Sequence, residues 1–140
     1  MSSFGLRVLA SDRVFFEGRV QMLVLPAMDG EAGILANHAD MVIAVTDGEM
    51  RYKTEDGTWH IGYVGRGFVQ IANNRVILLT ESAEKPEEID VRRAEEAKER
   101  ALEQLRQKQS IQEYYHSSAS LARAMARLKT SRQTAGKIRI

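Results

Sequence analysis

Residues 68–80 read FVQIANNRVILLT, two short apolar runs separated by Asn73 and Asn74. Asparagine adopts positive φ at low cost, so an Asn pair between two such runs predicts a tight β-hairpin. Residues 76–79 are apolar on both faces, which is typical of a strand that is covered on both sides. This hairpin predicts that the neighbouring segments are strands as well.

The same spacing of runs and turns extends to about residue 84. Asp56-Gly57 is a second hairpin turn, and residues 49–53 alternate charged side chains with Met and Tyr, as in a half-exposed strand. Short strands with no helix between them indicate an antiparallel sandwich or flattened barrel. The Gly-containing stretch 29–39 is interpreted as a loop. The predicted strands are 5–10, 19–25, 41–45, 49–53, 59–64, 68–72 and 75–80.

After Pro86 the period of the apolar residues becomes helical. Asp90 can cap the first helix, because its carboxylate accepts free backbone N–H groups. The apolar face of this helix is predicted to comprise Val91, Ala94, Ala97, Ala101, Leu102 and Leu105. A break around Gln109 and Ser110 precedes a second helix, predicted over about residues 112–130. Its predicted apolar side comprises Tyr115, Ala119, Ala122, Met125, Ala126 and Leu128.

A short link between two helices favours an antiparallel hairpin. The sequence therefore predicts a β-sandwich domain over residues 1–85 and an α-helical hairpin over residues 86–140. The seam of that hairpin is mostly alanine, and a buried methylene contributes only about 0.8 kcal/mol. Two interpretations stay open: a weakly held hairpin that can be displaced, or a close-packed alanine seam without switching.

Composition bears on several classes of site. Cysteine is absent, so disulfides and thiolate metal sites are excluded, and the three histidines lack the spacing of metal ligands. No apolar stretch approaches the roughly 20 residues that cross a bilayer, and the N-terminus lacks the features of a signal peptide. We expect a soluble protein in a reducing compartment that meets a membrane only through a partner.

Beyond Glu113 the chain has six bases and no acid. Such a block is typical of a solvated tail, and it can also bind an acidic protein or a nucleic acid. A small nucleic-acid-binding module using the basic C-terminal helix is therefore the alternative function. The net charge of +1 and the aromatic content of 6% argue against it. The six bases are Arg123, Arg127, Lys129, Arg132, Lys137 and Arg139.

Glu31 and His38 lie in one predicted loop, where an acid/base pair is conceivable. No nucleophile motif and no phosphate-binding loop accompany them. We therefore predict that the chain is not an enzyme.

Three motifs follow one another along the chain: DGEAGILANHA at 29–39, GRGFVQI at 65–71, and AE at 83–84 followed by IDVRRA at 89–94. Together, in order and spacing, they resemble the epsilon subunits of F-type ATP synthases of the bacterial and chloroplast type. The resemblance covers almost the whole chain. Ala36 and Asp40 stand where prolines are common in that family, and Arg66 replaces a frequent glycine.

The resemblance implies a ten-stranded flattened sandwich and a two-helix hairpin on the central stalk of the synthase. The sandwich is expected to contact the gamma subunit and the c-ring, with Glu31 and His38 as candidate contacts, and to couple c-ring rotation to ATP synthesis. The hairpin is expected to fold against the sandwich or to extend along gamma and inhibit ATP hydrolysis. A bacterial protein of this kind is held peripherally on the cytoplasmic face of the inner membrane, and a chloroplast homologue is expected to look similar.

The resemblance also implies contacts for the extended hairpin. In the family, the second helix meets an acidic loop of the beta subunit. The candidates in this chain are Arg123, Arg127, Lys129 and Arg132.

Some bacterial members bind ATP between the two helices, as a regulatory ligand rather than a required cofactor. The corresponding residues here are Glu84, Ile89, Asp90, Arg93, Ala94, Arg100, Arg123 and Arg127. Antiparallel packing could bring the four arginines together as a phosphate clamp. The ordinary alternative is that these arginines pair with acids such as Glu95, Glu96 and Glu103.

Overall fold

The computed structural model describes residues 2–107 and 110–132, which form a β-sheet followed by two helices. The strands are β1 (Phe4–Ala10), β2 (Val14–Ala27), β3 (Gly30–Leu35), β4 (Met41–Val45), β5 (Gly48–Thr54), β6 (Trp59–Val64), β7 (Gly67–Ala72), β8 (Arg75–Thr80) and β9 (Ala83–Glu84). A short 3-10 turn, Pro86–Glu88, leads to the helices α1 (Val91–Arg106) and α2 (Ile111–Ser131).

The sheet folds into two layers because β2 is long enough to belong to both. Its first half pairs with β1, and its second half pairs with β3 and β5, with a register shift between Val20 and Met22. The strand order is β1-β8-β7-β4-β2-β5-β6-β9, with β3 beside β2. The first layer contains β1, β8, β7 and β4 with the first half of β2, and the second layer contains β3, β5, β6 and β9 with the second half of β2. All pairings are antiparallel except that of β1 with β8, which is parallel. The predicted sandwich is confirmed, with nine strands in the described residues against the ten that the resemblance implies.

The apolar core lies between the two layers. It extends from Phe4 and Leu6 in β1 to Ala83 in β9, and it includes no described residue after Ala83. The helices therefore lie outside the core of the sandwich. This is the arrangement that a movable hairpin requires.

Both predicted hairpin turns are confirmed. Gly57 has φ +85° between β5 and β6, and Asn73 and Asn74 have φ of 52° and 59° between β7 and β8. These left-handed conformations are those that glycine and asparagine adopt most easily. Asp40, which replaces a common proline, accepts a hydrogen bond from the Asn73 backbone N–H at 3.2 Å.

Three expectations about the strands are wrong. The stretch interpreted as a loop contains β3, in which only Ile34 is fully buried. Because most of the other residues of β3 are small, the sequence shows no clear alternation of apolar and polar side chains there. The strand predicted over 19–25 extends from Val14 to Ala27. The apolar run 76–79 is not covered on both sides, because Leu79 faces away from the core and is 38% exposed.

The predicted apolar side of α2 is confirmed at Leu128 and wrong at most of its other positions. Tyr115 is 67% exposed and Met125 is 50% exposed, whereas the buried residues of α2 are Ser117, Ala124, Leu128 and Thr130. Small and apolar residues occur around most of this helix, so periodicity alone did not select the face. The seam with α1 contains the buried Ala94 and Ala101, consistent with the predicted alanine packing.

The hairpin packs on the outer face of the second layer. Met50 and Tyr52 of β5 point into the core, so Glu49 and Arg51 point outward, towards the side that α2 contacts. Ile61 and Tyr63 of β6 are buried although they are outside the core cluster, as expected for residues beneath the helix.

This interface leaves polar atoms without partners. Within the described residues, Glu49 Oε2, Arg51 Nε and Thr130 Oγ1 are buried and make no hydrogen bond. A buried unsatisfied group costs roughly 1–3 kcal/mol. The hairpin is therefore attached more weakly than an apolar interface of the same size would be.

An ion pair fixes the segment between the sandwich and α1. Arg13, in the turn between β1 and β2, makes two bonds to the Glu88 carboxylate at 2.7 and 2.9 Å and a third to the Ala83 carbonyl at 2.7 Å. Glu88 also accepts from the Lys85 backbone N–H at 2.8 Å. The hydrogen bonds from Arg13, which have the larger effect, and from the Lys85 backbone lower the pKa of Glu88 to about 2. These contacts therefore hold the chain to the sandwich up to the residue before Ile89.

We expect Glu88→Gln to lower the free energy of unfolding at pH 7 by up to roughly 1 kcal/mol, the range of a partly exposed ion pair. Because the folded pKa lies below the ordinary value of 4.5, the stabilisation is fully present above pH 4.5 and is lost as the pH falls towards 2. Urea unfolding of both proteins between pH 7 and 2 should show the difference shrinking in that window. Glu87→Gln is the control, since Glu87 makes no ion pair within the described residues. A difference that does not depend on pH would contradict the assignment.

We expect Thr130→Val to stabilise the protein by about 1 kcal/mol, because it removes a buried hydroxyl without a partner and keeps the shape of the side chain. Thr130→Ser, which keeps the hydroxyl and loses the methyl group, should destabilise it. Hydrogen exchange of α2 amides and urea unfolding would measure both effects. Destabilisation by the valine would show that the hydroxyl has a partner.

Candidate functional site

A cavity of about 360 Å³ lies between α1, α2 and β9. Cavities that bind small molecules have volumes of about 300–1,000 Å³. Its lining is dominated by arginine and by residues with small side chains. The lining residues are Glu84, Asp90, Arg93, Ala94, Ala97, Arg100, Ser120, Arg123, Ala124 and Arg127.

The cavity exists because alanines occupy the seam. Ala94 and Ala97 on α1 and Ala124 on α2 are too short to fill the space between the helices. Arg93 and Arg100 are seven residues apart on α1, close to two turns, so both reach the same side of the helix. Arg123 and Arg127 are one turn apart on α2.

The lining has an excess of positive charge. Four arginines against Glu84 and Asp90 leave a formal charge of 4 − 2 = +2. Arg93 and Arg100 make no ion pair or hydrogen bond through their side chains in the part of the chain that the structure describes. A guanidinium group is always charged at physiological pH. The cavity therefore favours an anion with at least two negative charges.

The two arginines of α2 are held in place. Both Nε and Nη2 of Arg127 lie 3.2 Å from Glu84 Oε1, and its guanidinium carbon lies 4.4 Å from the centre of the Tyr63 ring. Nη2 of Arg123 donates to Ser120 Oγ at 3.1 Å. Burial raises the pKa of Tyr63 to about 12, although the positive charge of Arg127 lowers this pKa in part. The phenol is therefore neutral at physiological pH.

Seven of the eight residues predicted for nucleotide binding line this one cavity. Ile89 does not, and its side chain is buried. Asp90 caps α1, as predicted, because its Oδ1 accepts the Arg93 backbone N–H at 3.0 Å. The seven are Glu84, Asp90, Arg93, Ala94, Arg100, Arg123 and Arg127.

The pairing of these arginines with the acids of α1 does not occur. Glu96 pairs with Arg92 at 3.6 Å, and Glu103 pairs with Arg106 at 2.9 Å. Within the described residues, Glu95 makes no ion pair. The acids of α1 are therefore not the counter-ions of the cavity.

Sequence reasoning missed two side chains that contact the arginines. Ser120 precedes Arg123 by one turn, and that spacing was a usable signal. Tyr63 lies on a strand far away in the sequence, and no local pattern connects it with α2.

The residues predicted to meet the beta subunit have two different environments. Arg123 and Arg127 line the cavity, whereas Lys129 and Arg132 are exposed. With its arginines at the cavity, α2 does not present all these bases on one free face, which weakens the nucleic-acid alternative. Lys137 and Arg139 lie outside the described residues.

Glu31 lies near the start of β3, and His38 lies three residues beyond the end of that strand. Glu31 accepts two bonds from Arg51, at 2.6 and 3.1 Å, which lower its pKa, and His38 Nδ1 lies 2.8 Å from the Ala39 carbonyl oxygen. Four strand residues alone span about 13 Å between Glu31 and the end of β3. The two residues therefore form no acid/base pair.

Within residues 2–107 and 110–132, no group of three or more His, Asp or Glu side chains is placed to hold a metal ion. Neither described helix has the length and apolar character needed to cross a membrane.

The fold and the cavity define a class of protein: a β-sandwich with a separate C-terminal helical hairpin packed on its outer face. Sequence profiles of two family domains match this chain. The profile described as the ATP synthase, Delta/Epsilon chain, beta-sandwich domain matches residues 3–86, and that of the long alpha-helix domain matches residues 87–132. The chain belongs to the ATP synthase delta/epsilon family, whose epsilon members are non-catalytic subunits of the central stalk.

Curated relatives agree with this assignment. An ATP synthase epsilon chain of Ruminiclostridium cellulolyticum is 46% identical over 94% of this chain and 97% of its own length. That of Caldicellulosiruptor bescii is 43% identical over 95% of this chain and 96% of its own length. The predicted resemblance is therefore confirmed, as is the prediction that the chain is not an enzyme.

Solved structures share the fold. A chain in the Euglena gracilis mitochondrial ATP synthase, a structure of OSCP/F1/c-ring, superposes with a TM-score of 0.81 at 21% identity, covering 95% of this chain and 83% of its own. A chain in the central stalk/c-ring structure of the Tetrahymena thermophila enzyme gives a TM-score of 0.67 at 9% identity, covering 91% and 95%.

Proposed function

We propose that this chain couples c-ring rotation to ATP synthesis through its sandwich and restrains ATP hydrolysis through its hairpin. The observation that supports both functions is that the β-sandwich and the helical hairpin are two separate bodies. Ala83 is the last described residue of the apolar core. The hairpin packs on the outside of the sandwich through an interface that contains buried polar atoms without hydrogen-bond partners in the described residues. A rigid body and a detachable pair of helices are what the two tasks require.

The gamma subunit is the partner we propose for the outer face of the first layer. Val42 of β4 is 65% exposed and Phe68 of β7 is 46% exposed, and Phe68 pairs with the exposed Leu79 of β8. Neighbouring exposed apolar side chains on a sheet are typical of a protein interface. The hairpin packs on the other layer, so it can leave without disturbing this contact. We retain Glu31 and His38 as candidate contacts of the c-ring or gamma.

Release of the hairpin would change the charge that α2 presents. In the packed state, Arg127 is paired with Glu84, and Arg123 lines the cavity beside it. After release, both would become available together with the exposed Lys129 and Arg132. Four bases along the end of one helix would complement an acidic loop of the beta subunit. This contact would hold the extended hairpin and stop rotation in the hydrolysis direction.

ATP is the regulatory ligand that we propose for the cavity. Its triphosphate matches a site with a formal charge of +2 and two arginines on α1 that make no ion pair in the described part of the chain. Ala94 leaves room beside α1 for a purine, and Asp90 Oδ2 makes no hydrogen bond in the described residues, so it can accept from the exocyclic amine. ATP would join α1 to α2 and keep the hairpin folded, which would release hydrolysis from inhibition when ATP is abundant.

The place of the protein in the cell follows from the c-ring contact. We propose peripheral attachment to the membrane through that ring, on the cytoplasmic face of the inner membrane in a bacterium. We expect the protein to fractionate with the membrane when the c-ring is present and to be released when the c-ring is absent.

We expect ATP to raise the melting temperature of the isolated chain by roughly 5–10 °C when its concentration is about a hundred times Kd. Arg93→Ala and Arg127→Ala should each abolish the shift, because they remove guanidinium groups that line the cavity. Arg92→Ala is the matched control, since Arg92 pairs with Glu96 away from the cavity. The absence of a shift at millimolar ATP would exclude this ligand.

We expect a chain truncated after Ile89 to assemble into the synthase and to support ATP synthesis, while latent ATP hydrolysis rises severalfold. This truncation keeps Glu88 and its contact with Arg13, so the edge of the sandwich stays intact. Synthesis and hydrolysis by reconstituted complexes would be measured beside those with the full chain. Failure to assemble would place the coupling function in the helices and contradict the proposal.

A further inference from the structure

Arg127, in the cavity, contacts the sandwich directly through the side chains of Tyr63 in β6 and Glu84 in β9. Tyr63 of β6 and Glu84 of β9 are directly paired across the two strands. Side chains of an antiparallel pair project from the same face about 5 Å apart. The ring therefore supports the face of the guanidinium, at 4.4 Å, while the carboxylate binds its edge.

This pair of contacts leaves donors on Arg127 for a ligand. The single oxygen Glu84 Oε1 lies 3.2 Å from both Nε and Nη2 of Arg127. A guanidinium has five N–H donors, and Nη1 of Arg127 makes no hydrogen bond in the described residues. Arg127 can thus keep its contacts with the sandwich and bind an anion in the cavity at the same time.

Tyr63 is itself fixed by its surroundings. It is fully buried, outside the core cluster, and its hydroxyl lies 3.4 Å from Asp47 Oδ1. A fixed ring under a guanidinium stabilises it by a cation–π interaction and limits its orientation. Without the ring, Arg127 would keep its pairing with Glu84 but would lose the support that holds it at the cavity wall.

We propose that Tyr63 is a positioning residue for the phosphate groups of the ligand, acting through Arg127. The site then spans both bodies of the protein: α1 and α2 supply arginines, and β6 and β9 orient one of them. Occupancy by a polyphosphate stabilises the packing of the hairpin on the sandwich, in addition to the pairing of the two helices. This inference rests on the proposed binding of ATP.

The test measures Kd for ATP by calorimetry with the full-length chain. Tyr63→Phe keeps the ring and should leave Kd within about twofold of the wild-type value. Tyr63→Leu keeps an apolar side chain and removes the π face, so Kd should rise roughly tenfold, within the range of a cation–π contact. If Tyr63→Leu does not fold, Tyr63→Met replaces it with the same expected loss.

A second arm separates positioning from a structural role. Arg127→Lys keeps the charge and loses the planar group that stacks on the ring. Introducing Tyr63→Leu into Arg127→Lys should raise Kd by less than threefold, because an ammonium group lacks the planar stacking of a guanidinium and gains less from the ring. A tenfold rise in both backgrounds would show that the ring acts on the fold and would overturn the inference.

Hydrogen exchange supplies the readout for packing. ATP should slow exchange in α1, α2 and β6 of the wild type, and in Tyr63→Leu it should slow exchange in the helices but not in β6. Equal Kd for the wild type and Tyr63→Leu would overturn this inference and leave the ATP proposal intact. No binding of millimolar ATP by the wild type would overturn both.

Discussion

The position of the helices depends on where the apolar core of the sandwich ends. Ala83 is the last residue along the described chain that belongs to this core. Because the two layers of the sandwich bury each other, the hairpin can pack only against an outer face, and α2 contacts β5 there, where Glu49 and Arg51 are already present. Burying these groups leaves atoms unsatisfied, and their desolvation offsets part of the gain from burying Leu128 and Tyr63. Weak attachment is therefore a consequence of where the core ends.

The same constraint explains why the charged contacts lie at the boundary between the two bodies. Arg13 with Glu88 fixes the segment before α1, and Arg127 with Glu84 joins the end of α2 to the sandwich. The first pair lies before the helices and would persist if they moved. The second pair would have to break, and a polyphosphate that binds Arg127 would oppose that release. In the function that we propose, the first pair is the fixed point of the hairpin and the second is the contact that is released.

Much of the fold was predictable because its signals are local. The hairpin turns at Asn73-Asn74 and Asp56-Gly57, the cap at Asp90 and the change of period after Pro86 each depend on residues close in sequence. The failures were not local. Small residues gave β3 no recognisable alternation, and α2 has apolar residues on two sides, so only contact with other elements decides which side is buried.

For the site, the sequence by itself determined which side chains are available to line it. These are four arginines at helical spacing, alanines between them, and acids at 84 and 90. Family motifs indicated which of them belong together. Only the tertiary structure decided that the side chain of Ile89 does not line the cavity and that Glu84 is the counter-ion of Arg127, in place of the acids of α1. It also brought Tyr63 beneath Arg127. The physical reason is that helical spacing fixes neighbours within one helix, whereas contacts between a strand and a helix depend on how the two bodies pack.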